Sequence, residues 1–337
     1  MSAPTCSICI ANYNGESLLA DCIDSVLAQD CDFAFEILIH DDASTDASLA
    51  LLRDRYPQVE VIASSTNVGF CIANNRLADR ARGDYLLLLN NDAALAPDAL
   101  STLSAHARLQ QPEGILTLPQ YDWETNELVD RGCLLDPFYN PVPNLDLDRR
   151  DVAMVIGACL WIPRRLWHEL GGFPEWFESI AEDMYLCCRA RLAGYPVEVT
   201  ATSAYRHRQG KSFGGNRANT GRLSTTYRRR RLSERNKTFV LTICTPSPWL
   251  WPVLTLHLVA LAIEGAALVM LKSDSRIWRE VYATPFHSLW EDFDRLKRRR
   301  SAVQATRRSS SISYGNGFTL VPRKLTMLLK YGIPALR

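Results

Sequence analysis

Short apolar runs alternate with helical patterns over the first 120 residues of the chain. The predicted strands are 6–10, 36–40, 59–63 and 85–89. The predicted helices are 17–29, 46–56, 69–81 and one that Pro97 opens in its first turn. Strands rich in Ile, Leu and Val that alternate with helices predict an α/β fold, built on a mostly parallel sheet with helices on both faces.

All four predicted strands end in polar residues. The exits are 11–15, 41–46, 64–67 and 90–92. In parallel sheets ligands bind beyond the carboxyl ends of the strands, where the loops converge. Helix capping is the alternative, because Asp and Asn often start helices, and capping is the favoured interpretation for Asp46 alone. For the four exits together we predict a ligand site.

The glycine-rich nucleotide motifs are missing from the sequence. No G-x-G-x-x-G follows the first strand, and no G-x-x-x-x-G-K-[ST] occurs anywhere. A nucleotide held by carboxylates needs a cation between them, and Mg²⁺ or Mn²⁺ is the expected cofactor. The net charge of +1 indicates no partner, and the basic residues near the C-terminus lack the interleaved aromatics of a nucleic-acid site, so no nucleic acid is expected.

The ten cysteines are scattered, and several lie in apolar runs. Cys6 and Cys9 should point to opposite faces of a strand, which argues against a metal or redox pair. Cys187 and Cys188 fit packing better. We therefore expect reduced thiols and a cytosolic compartment, and no secretory signal, since residues 5–10 already form a predicted strand.

Six stretches occur in order between about residues 5 and 240: "SICIANYNG", "EILIHDDASTDAS", "NVGFCIANN", "GDYLLLLNNDA", "GGFPEWFESIAEDMYLCCRARLAGYPV" and "YRHRQGKS". Together they resemble the family 2 glycosyltransferases of the GT-A type, especially the rhamnosyltransferase-like branch. The resemblance implies a Rossmann-like GT-A fold. It also implies an inverting transfer of a sugar from a nucleoside diphosphate to a hydroxyl acceptor.

The resemblance assigns the strand exits to the donor and to a cation. The implied nucleotide-binding residues are Tyr13, Asp41, Asp42, Asn67, Gly69 and Asn91. Asp92 is the implied metal ligand, with Asn90 and His207 as further candidates. Asn90 departs from the family pattern, in which a carboxylate is expected, and its amide oxygen brings no charge to the cation. A turn residue is the structural alternative for Asp92.

Glu182 and Asp183 are the implied catalytic acids, at the start of a helix that Gly194 ends. An acceptor hydroxyl needs a base, and the family role falls on Asp183, with Glu182 contacting the acceptor or donor. An acidic first helical turn without catalytic function is the alternative.

Two further groups complete the implied site. Gly172, Phe173 and Trp176 would meet the acceptor sugar, although a structural turn with core aromatics fits them nearly as well. Arg208 and Lys211 would meet the diphosphate. The loop at 209–221 could close over the donor.

The C-terminal third changes in composition. Residues 249–271 have transmembrane length, but Pro252, His257 and Glu264 interrupt them, so an amphipathic or shallowly inserted segment is preferred over a crossing. Thr284 and Pro285 are predicted to start a basic amphipathic helix. Its apolar stripe is Leu289, Trp290, Phe293 and Leu296, beside Arg295 and the basic cluster 297–300. Such a helix suits an anionic membrane surface, or packing on the catalytic domain or a homodimer partner.

The predicted domains are a catalytic domain at 1–240, a helical membrane- or dimer-associating region at 241–300, and a basic tail at 301–337 that is poorly ordered over 301–317. The predicted function is transfer of rhamnose to a lipid-linked or cell-surface glycan, at the cytoplasmic face of the plasma membrane. The alternatives are a UDP-hexose transferase (galactose, galactofuranose or glucose), a non-catalytic nucleotide- or glycan-binding subunit, and a membrane scaffold.

Overall fold

A seven-stranded sheet lies at the centre of the computed structural model, which describes residues 4–208, 217–219, 222–333, 335 and 336. Its strands, in spatial order, are β12 (Val197–Val199), β6 (Ile115–Thr117), β11 (Cys159–Pro163), β4 (Tyr85–Leu89), β1 (Cys6–Asn12), β2 (Phe35–Asp41) and β3 (Glu60–Ala63). Neighbours pair in parallel except at β11, which is antiparallel to both β4 and β6. The predicted mostly parallel sheet is confirmed.

The helices of the first half lie where the apolar spacing predicts them. They are α1 (Glu16–Leu27), α2 (Ser48–Arg55), α3 (Phe70–Arg80) and α4 (Ala99–Leu109). The prediction that Pro97 lies in the first turn of α4 was wrong, because Asp98 is the N-cap and Ala99 is the first helical residue. Pro97 therefore precedes the helix instead of lying in its first turn.

Two apolar cores cover the two faces of the sheet. Cys6 and Ile8 of β1 belong to one core, and Cys9 belongs to the other. This confirms that the two cysteines point in opposite directions. All ten cysteines are free.

A second, four-stranded sheet stands beside the first. Its strands, in order, are β5 (Ala93–Leu95), β13 (Tyr205–His207), β7 (Gln120–Asp122) and β8 (Leu128–Asp130). In the register of β13 with β5, His207 lies opposite Ala93, the residue that follows Asp92. The remaining strands are β9 (Cys133–Leu135), β10 (Pro141–Pro143), β14 (Arg217–Asn219), β15 (Arg222–Thr225) and β16 (Ala335–Leu336).

The remaining helices follow β11. They are α5 (Arg164–Leu170), a 3₁₀ turn (Glu175–Phe177), α6 (Glu182–Leu192), α7 (Tyr227–Cys244), α8 (Leu250–Lys272), a π-helical segment (Trp278–Tyr282), α9 (Ala283–Glu291), α10 (Phe293–Ala305), α11 (Ser311–Gly315) and α12 (Arg323–Tyr331). As predicted, α6 begins at Glu182, and Gly194 with φ of +87° lies just beyond its end. α7 is central to this group, because it packs against α6, α8, α9 and α10.

Three expectations for the C-terminal third were wrong. Thr284 and Pro285 do not start a helix, because Ala283 and the preceding π-helical segment are already helical. Arg300 does not face outward with its basic neighbours: its guanidinium donates to the carbonyl of Thr245 at 2.7 Å near the end of α7. Residues 301–317 are not poorly ordered, since they form the end of α10 and α11, and Tyr314 is buried.

One face of α8 packs on the protein along the whole helix. Its buried residues, spaced by three or four, are Leu250, Leu254, His257, Leu261, Gly265 and Leu268. Glu264 pairs with Arg230 at 2.7 Å and with Lys324 at 2.6 Å. These pairs explain how an acid is tolerated in an apolar helix, since both partners come from the protein side.

Candidate active site

The loop after β4 is tied to the ends of β1 and β2 by a chain of side-chain hydrogen bonds. Asn91 donates to Asn12 Oδ1 at 2.8 Å, and Asn12 donates to Asp41 Oδ2 at 2.9 Å. The other oxygen of Asp41 accepts from the N–H of Ser44 at 2.9 Å. Three polar strand exits therefore form one network. Asn12 was missed by sequence reasoning, although it lies in the first exit.

Asp42 is turned toward the third strand exit. Its two carboxylate oxygens accept from the backbone N–H groups of Val68 and Gly69, at 2.7 and 2.8 Å. Asp41 and Asp42 are both buried. A nucleotide would therefore meet loops that these carboxylates hold in place, and any direct contact would use their remaining lone pairs.

Tyr13, Asn67 and Gly69 lie at the open edge of this region. The Tyr13 ring is 53% exposed, and Asn67 is exposed as well. Gly69 has a φ of +88°, which favours glycine. Of the described atoms, only the carbonyl oxygen of Glu178 lies within 4 Å of the position of a Cβ there, at 3.8 Å. The exposed ring and the open space suit the entry of a ligand.

Asp92 and His207 form a buried pair beneath this edge. Asp92 Oδ1 lies 3.0 Å from His207 Nε2, and Asn90 Nδ2 lies 3.5 Å from the same nitrogen. Among the described residues, Asp92 Oδ2 and His207 Nδ1 are buried and have no hydrogen-bond partner. The structure thus places the three residues that the sequence predicts as metal ligands next to one another.

The side chains of Asp92, His207 and Asn90 fit a divalent cation that takes most of its other ligands from phosphates and water. Over the described ranges, no third His, Cys, Asp or Glu joins Asp92 and His207. Mg²⁺ usually takes one or two protein carboxylates and completes its shell with phosphates and water. The unpaired Asp92 Oδ2, with the imidazole and the Asn90 amide, could supply such a minimal set.

Arg208 is held close to this pair. Its backbone N–H donates to the carbonyl of Asp92 at 3.0 Å, and its guanidinium pairs with Asp21 and lies 3.8 Å from the centre of the Trp123 ring. To meet a diphosphate it would have to exchange Asp21 for a phosphate. Lys211 and most of the loop at 209–221 lie outside the described residues.

Glu182 and Asp183 occupy different environments at the start of α6. Asp183 Oδ2 accepts from the N–H of Gly157 at 3.0 Å, and Oδ1 accepts from the N–H of Met184 at 2.7 Å. Glu182 Oε2 is buried and has no hydrogen-bond partner in the part of the chain that the structure describes. Burial, with the neighbouring Asp183 adding to it, raises the pKa of Glu182 to about 8. Burial also raises the pKa of Asp183, but the two N–H groups oppose that effect. Asp183 is thus the better placed to be ionised.

The two carboxylate sites meet at one turn. Asp183 binds the N–H of Gly157, and the carbonyl of the next residue, Ala158, accepts from the N–H of Asn90 at 3.1 Å. Asn90 is two residues before Asp92. The turn before β11 therefore joins Asp183 to the loop that bears Asn90 and Asp92, although 91 positions separate Asp92 from Asp183 in the sequence. Sequence reasoning missed Gly157, because nothing marks it as a partner of a distant acid.

A strained loop leads into α6. Glu178, Ile180 and Ala181 all have left-handed backbones, with φ of 65°, 73° and 68°. Such backbones cost non-glycine residues about 1–3 kcal/mol each and are often found at functional sites. The buried side chain of Asn236 on α7, which the sequence analysis also missed, donates to three carbonyls of this loop.

Arg229, also on α7, faces the acid pair. Burial lowers the pKa of its guanidinium, and the charges of Glu182 and Asp183 oppose that change. Sequence reasoning assigned no role to Arg229. A cation next to two buried acids favours ionisation of at least one of them.

The predicted acceptor residues do not form an open surface. The Phe173 ring is 1% exposed and packs against Phe70 and Trp167. A Cβ on Gly172 would lie 2.6 Å from Asn75 Oδ1, so this glycine serves close packing. The acceptor prediction for these two residues was wrong, and the alternative of a structural turn with core aromatics fits. Trp176 is partly buried against the core, with the Arg295 guanidinium 5.3 Å from its ring centre.

Glu182 should make the stability of the chain depend on pH. It holds its proton more tightly in the folded chain, with a pKa of about 8, than in the unfolded chain, where the usual value is 4.5. The stability that it contributes is therefore complete below about pH 4.5 and is lost as the pH rises through about 8. We expect Glu182→Gln to melt with the wild type at pH 4.5 and about 2–4 °C above it at pH 8.5 in differential scanning fluorimetry. A difference that does not grow with pH would contradict this.

Part of the chain is similar in sequence to known proteins. Residues 7–171 match the family model described as glycosyl transferase family 2. The chondroitin synthase of Escherichia coli is 31% identical over 188 residues, which are 54% of this chain and 26% of that protein. The poly(ribitol-phosphate) beta-glucosyltransferase of Bacillus spizizenii is 28% identical over 205 residues, 59% of this chain and 31% of that protein. The chain thus spans only about a quarter to a third of these relatives.

Solved structures share the fold. The crystal structure of GalNAc-T7 with UDP, GalNAc and Mn²⁺ superposes with a TM-score of 0.57, covering 73% of this chain and 49% of that chain, at 17% identity. At this identity the likeness concerns the fold alone. The predicted GT-A fold, followed by a helical C-terminal region, is confirmed.

Proposed function

We propose that this chain transfers a sugar from a nucleoside-diphosphate donor to a hydroxyl of a glycan acceptor, since residues 7–171 match the family model described as glycosyl transferase family 2. One observation carries the proposal: the turn at 157–158 joins Asp183 to the loop that bears Asn90 and Asp92. A general base and a site for the leaving diphosphate must lie close together in such an enzyme. The similar proteins named above, a synthase and a glucosyltransferase, support the same reaction class.

Asp183 acts as the base in this proposal. Two backbone N–H groups stabilise its ionised form, so it can take the proton of the acceptor hydroxyl as that oxygen attacks C1 of the donor sugar. The bond from C1 to the diphosphate breaks on the opposite face, which inverts the configuration. Glu182, whose raised pKa keeps it mostly protonated at neutral pH, donates a hydrogen bond to the acceptor or donor instead of competing for the proton.

Asp92 and His207, with Asn90, would hold Mg²⁺ or Mn²⁺. When bound, the cation neutralises the charge that develops on the departing diphosphate. The nucleotide itself would lie over the exposed Tyr13, with Asn67 at the edge of its site. Asp41 and Asp42 would hold the neighbouring loops in place, and Asn91 would support them through its hydrogen bond to Asn12. Arg208 and Lys211 are proposed to meet the diphosphate.

The preferred donor is dTDP-rhamnose, because of the motif resemblance. A UDP-linked hexose is the alternative donor. The similarity to a protein named as a glucosyltransferase supports this alternative. A panel of sugar nucleotides, scored for slow hydrolysis without any acceptor, separates these donors. Hydrolysis of one donor well above the others identifies the sugar, whereas hydrolysis of none contradicts the proposed enzyme.

A non-catalytic nucleotide- or glycan-binding subunit is the second candidate, favoured by the missing carboxylate at Asn90. Isothermal titration of UDP and dTDP with and without Mn²⁺ discriminates between the two. Strong dependence of binding on Mn²⁺ supports the enzyme. Binding that is indifferent to the cation supports the subunit, and a membrane scaffold would bind no nucleotide at all.

We also propose that the chain works at the cytoplasmic face of a membrane, on a lipid-linked or cell-surface acceptor. Opposite its buried stripe, α8 exposes an apolar face that includes Trp251, Leu256, Ile263 and Met270. Within the described residues, α8 is the one helix that is long and apolar enough to cross a bilayer. Because the protein covers its other face from end to end, α8 would lie in the membrane interface instead of crossing.

The exposed face of α8 gives a direct test. The double variant Leu256→Ser/Ile263→Ser should bind anionic phosphatidylglycerol vesicles at least about 10-fold more weakly, since each side chain loses burial worth about 1.5–3 kcal/mol when fully inserted. Leu109→Ser/Leu147→Ser removes equally exposed apolar side chains elsewhere and should bind as the wild type does. Equal loss in both variants, or resistance of the wild type to alkaline extraction, would contradict the interfacial arrangement.

A further inference from the structure

One buried amide binds three carbonyl oxygens of the loop at 177–181. Asn236 of α7 is fully buried, and its Nδ2 lies 2.9, 2.9 and 2.8 Å from the carbonyl oxygens of Phe177, Ser179 and Ile180. An amide NH₂ has two hydrogens, so three acceptors share them. Its own Oδ1 accepts from Arg235 Nε at 2.9 Å, which fixes the orientation of the amide.

Arg235 reinforces the same contact. Its guanidinium donates to the carbonyl of Phe177 at 3.1 Å and pairs with the Glu178 carboxylate at 3.2 Å. Two consecutive residues of α7 thus bind the segment that has three left-handed non-glycine backbones. A conformation of that kind persists only where surrounding contacts impose it, and these contacts impose it here.

The loop ends where the acid pair begins. Ala181, with φ of 68°, is the N-cap of α6, and Glu182 and Asp183 are its first two residues. The left-handed turn at Ile180 and Ala181 sets the direction in which α6 starts. That direction decides whether Asp183 Oδ2 reaches the N–H of Gly157, and so whether it lies beside the loop of Asp92.

We propose that Asn236 is a positioning residue for transfer: through the loop at 177–181 it fixes the place of Asp183 against the donor site. The proposal rests on the glycosyltransferase function proposed above. It assigns a catalytic consequence to a residue of the C-terminal helices, outside the matched residues 7–171. Asn236 touches no reacting atom in this arrangement and acts only through the loop.

Asn236→Ala tests the proposal by separating kcat from KM. On the sugar nucleotide that the donor panel identifies, we expect kcat for hydrolysis to fall about 100-fold, because displacement of a catalytic group by about 1 Å costs this much. The donor KM should stay within about threefold, since the hydrogen bonds of Asn236 go to Arg235 and to the loop at 177–181, and among the described atoms that loop approaches the donor loop at Gly69 only through the Glu178 carbonyl. Asn236→Asp should be at least as slow, because a carboxylate offers the three carbonyls no hydrogen. The acidic limb of the kcat–pH profile should also move to lower pH as water reaches the acid pair.

Thr238→Val is the matched control. Thr238 is equally buried, lies two positions further along α7, and makes its hydrogen bonds to Glu234 and His257 instead of to the loop. It should lower the melting temperature without changing kcat or the pH profile. If Asn236→Ala behaves in the same way, Asn236 is merely structural and the proposal is overturned.

Hydrogen–deuterium exchange without any substrate gives a second readout. Amides at 177–184 should exchange faster in Asn236→Ala than in Thr238→Val and the wild type; unchanged exchange there overturns the proposal even if no donor is found. Failure of this inference is distinguishable from failure of the proposed function. If the Asp183→Asn variant is inactive and the Asn236→Ala variant is fully active, only the positioning role is overturned. If the Asp183→Asn variant is active, the proposed function itself is overturned.

Discussion

Replacing Asp183 by asparagine should lower the rate of sugar transfer by about 10²- to 10⁴-fold, the contribution typical of a general base. Asparagine keeps the shape of the side chain and can still accept a hydrogen bond from Gly157, but it cannot take a proton at neutral pH. Binding of UDP or dTDP with Mn²⁺ should be unchanged, because asparagine can keep the contact with Gly157 through which this residue is linked to the loop of Asn90 and Asp92. Donor hydrolysis and isothermal titration measure the two quantities separately.

Glu175→Gln is the matched control for Asp183→Asn. Glu175 belongs to the 3₁₀ turn just before the strained loop and is exposed, so the variant removes one acid from the same segment without touching the pair. It should hydrolyse the donor at the wild-type rate. An Asp183→Asn variant that also retains the wild-type rate would remove Asp183 from the mechanism.

Asp92→Asn should produce the second largest effect, on cation dependence. Asp92 is the one carboxylate of the proposed metal set, and its unpaired Oδ2 would meet the cation directly. A bound metal contributes several kcal/mol to the stabilisation of charge, so activity at low Mn²⁺ should fall about 10²- to 10³-fold and recover in part at high Mn²⁺. Asp98→Asn, in which a carboxylate bound to Ser203 loses the same charge, should keep the wild-type Mn²⁺ dependence. Equal Mn²⁺ titrations for wild type and Asp92→Asn would contradict the assignment.

Much of the fold could be predicted because its signals are local. The strand at 85–89 and the start of α6 at Glu182 follow directly from apolar runs and an acidic first turn. The strand exits also indicated a common site, because the carboxyl ends of parallel strands meet at one edge. The antiparallel strand β11 was not predicted, since a short apolar strand carries no signal for its direction.

The site residues that sequence reasoning missed are joined by long-range contacts. Asn236 lies 56 residues from the carbonyl of Ile180, and Gly157 lies 26 residues from Asp183. Neither spacing repeats a helical or strand period, so no local pattern could pair them. The prediction for Phe173 was wrong because its local signal is ambiguous. An aromatic residue next to paired glycines has the same local sequence whether it faces a sugar or, as here, the core.

The C-terminal third shows how a pattern can be correct while its interpretation fails. Leu296 lies on an apolar stripe as predicted, yet it is buried, whereas Trp290 is 85% exposed. The basic run near 300 suggested a surface that faces an anionic membrane, but Arg300 binds carbonyls at the end of α7. Charge counted along the sequence does not distinguish a guanidinium that faces solvent from one that caps a helix.

Crystals soaked with Mn²⁺ and UDP provide the most direct test that one bound donor lies between Asp92 and Asp183. An anomalous peak should appear within coordination distance of Asp92 Oδ2 and a diphosphate oxygen, on the side of the loop that the turn at 157–158 joins to Asp183. Space for a sugar should remain between the diphosphate and the Asp183 carboxylate. A manganese peak away from Asp92, or a nucleotide whose diphosphate points away from Asp183, would contradict the account.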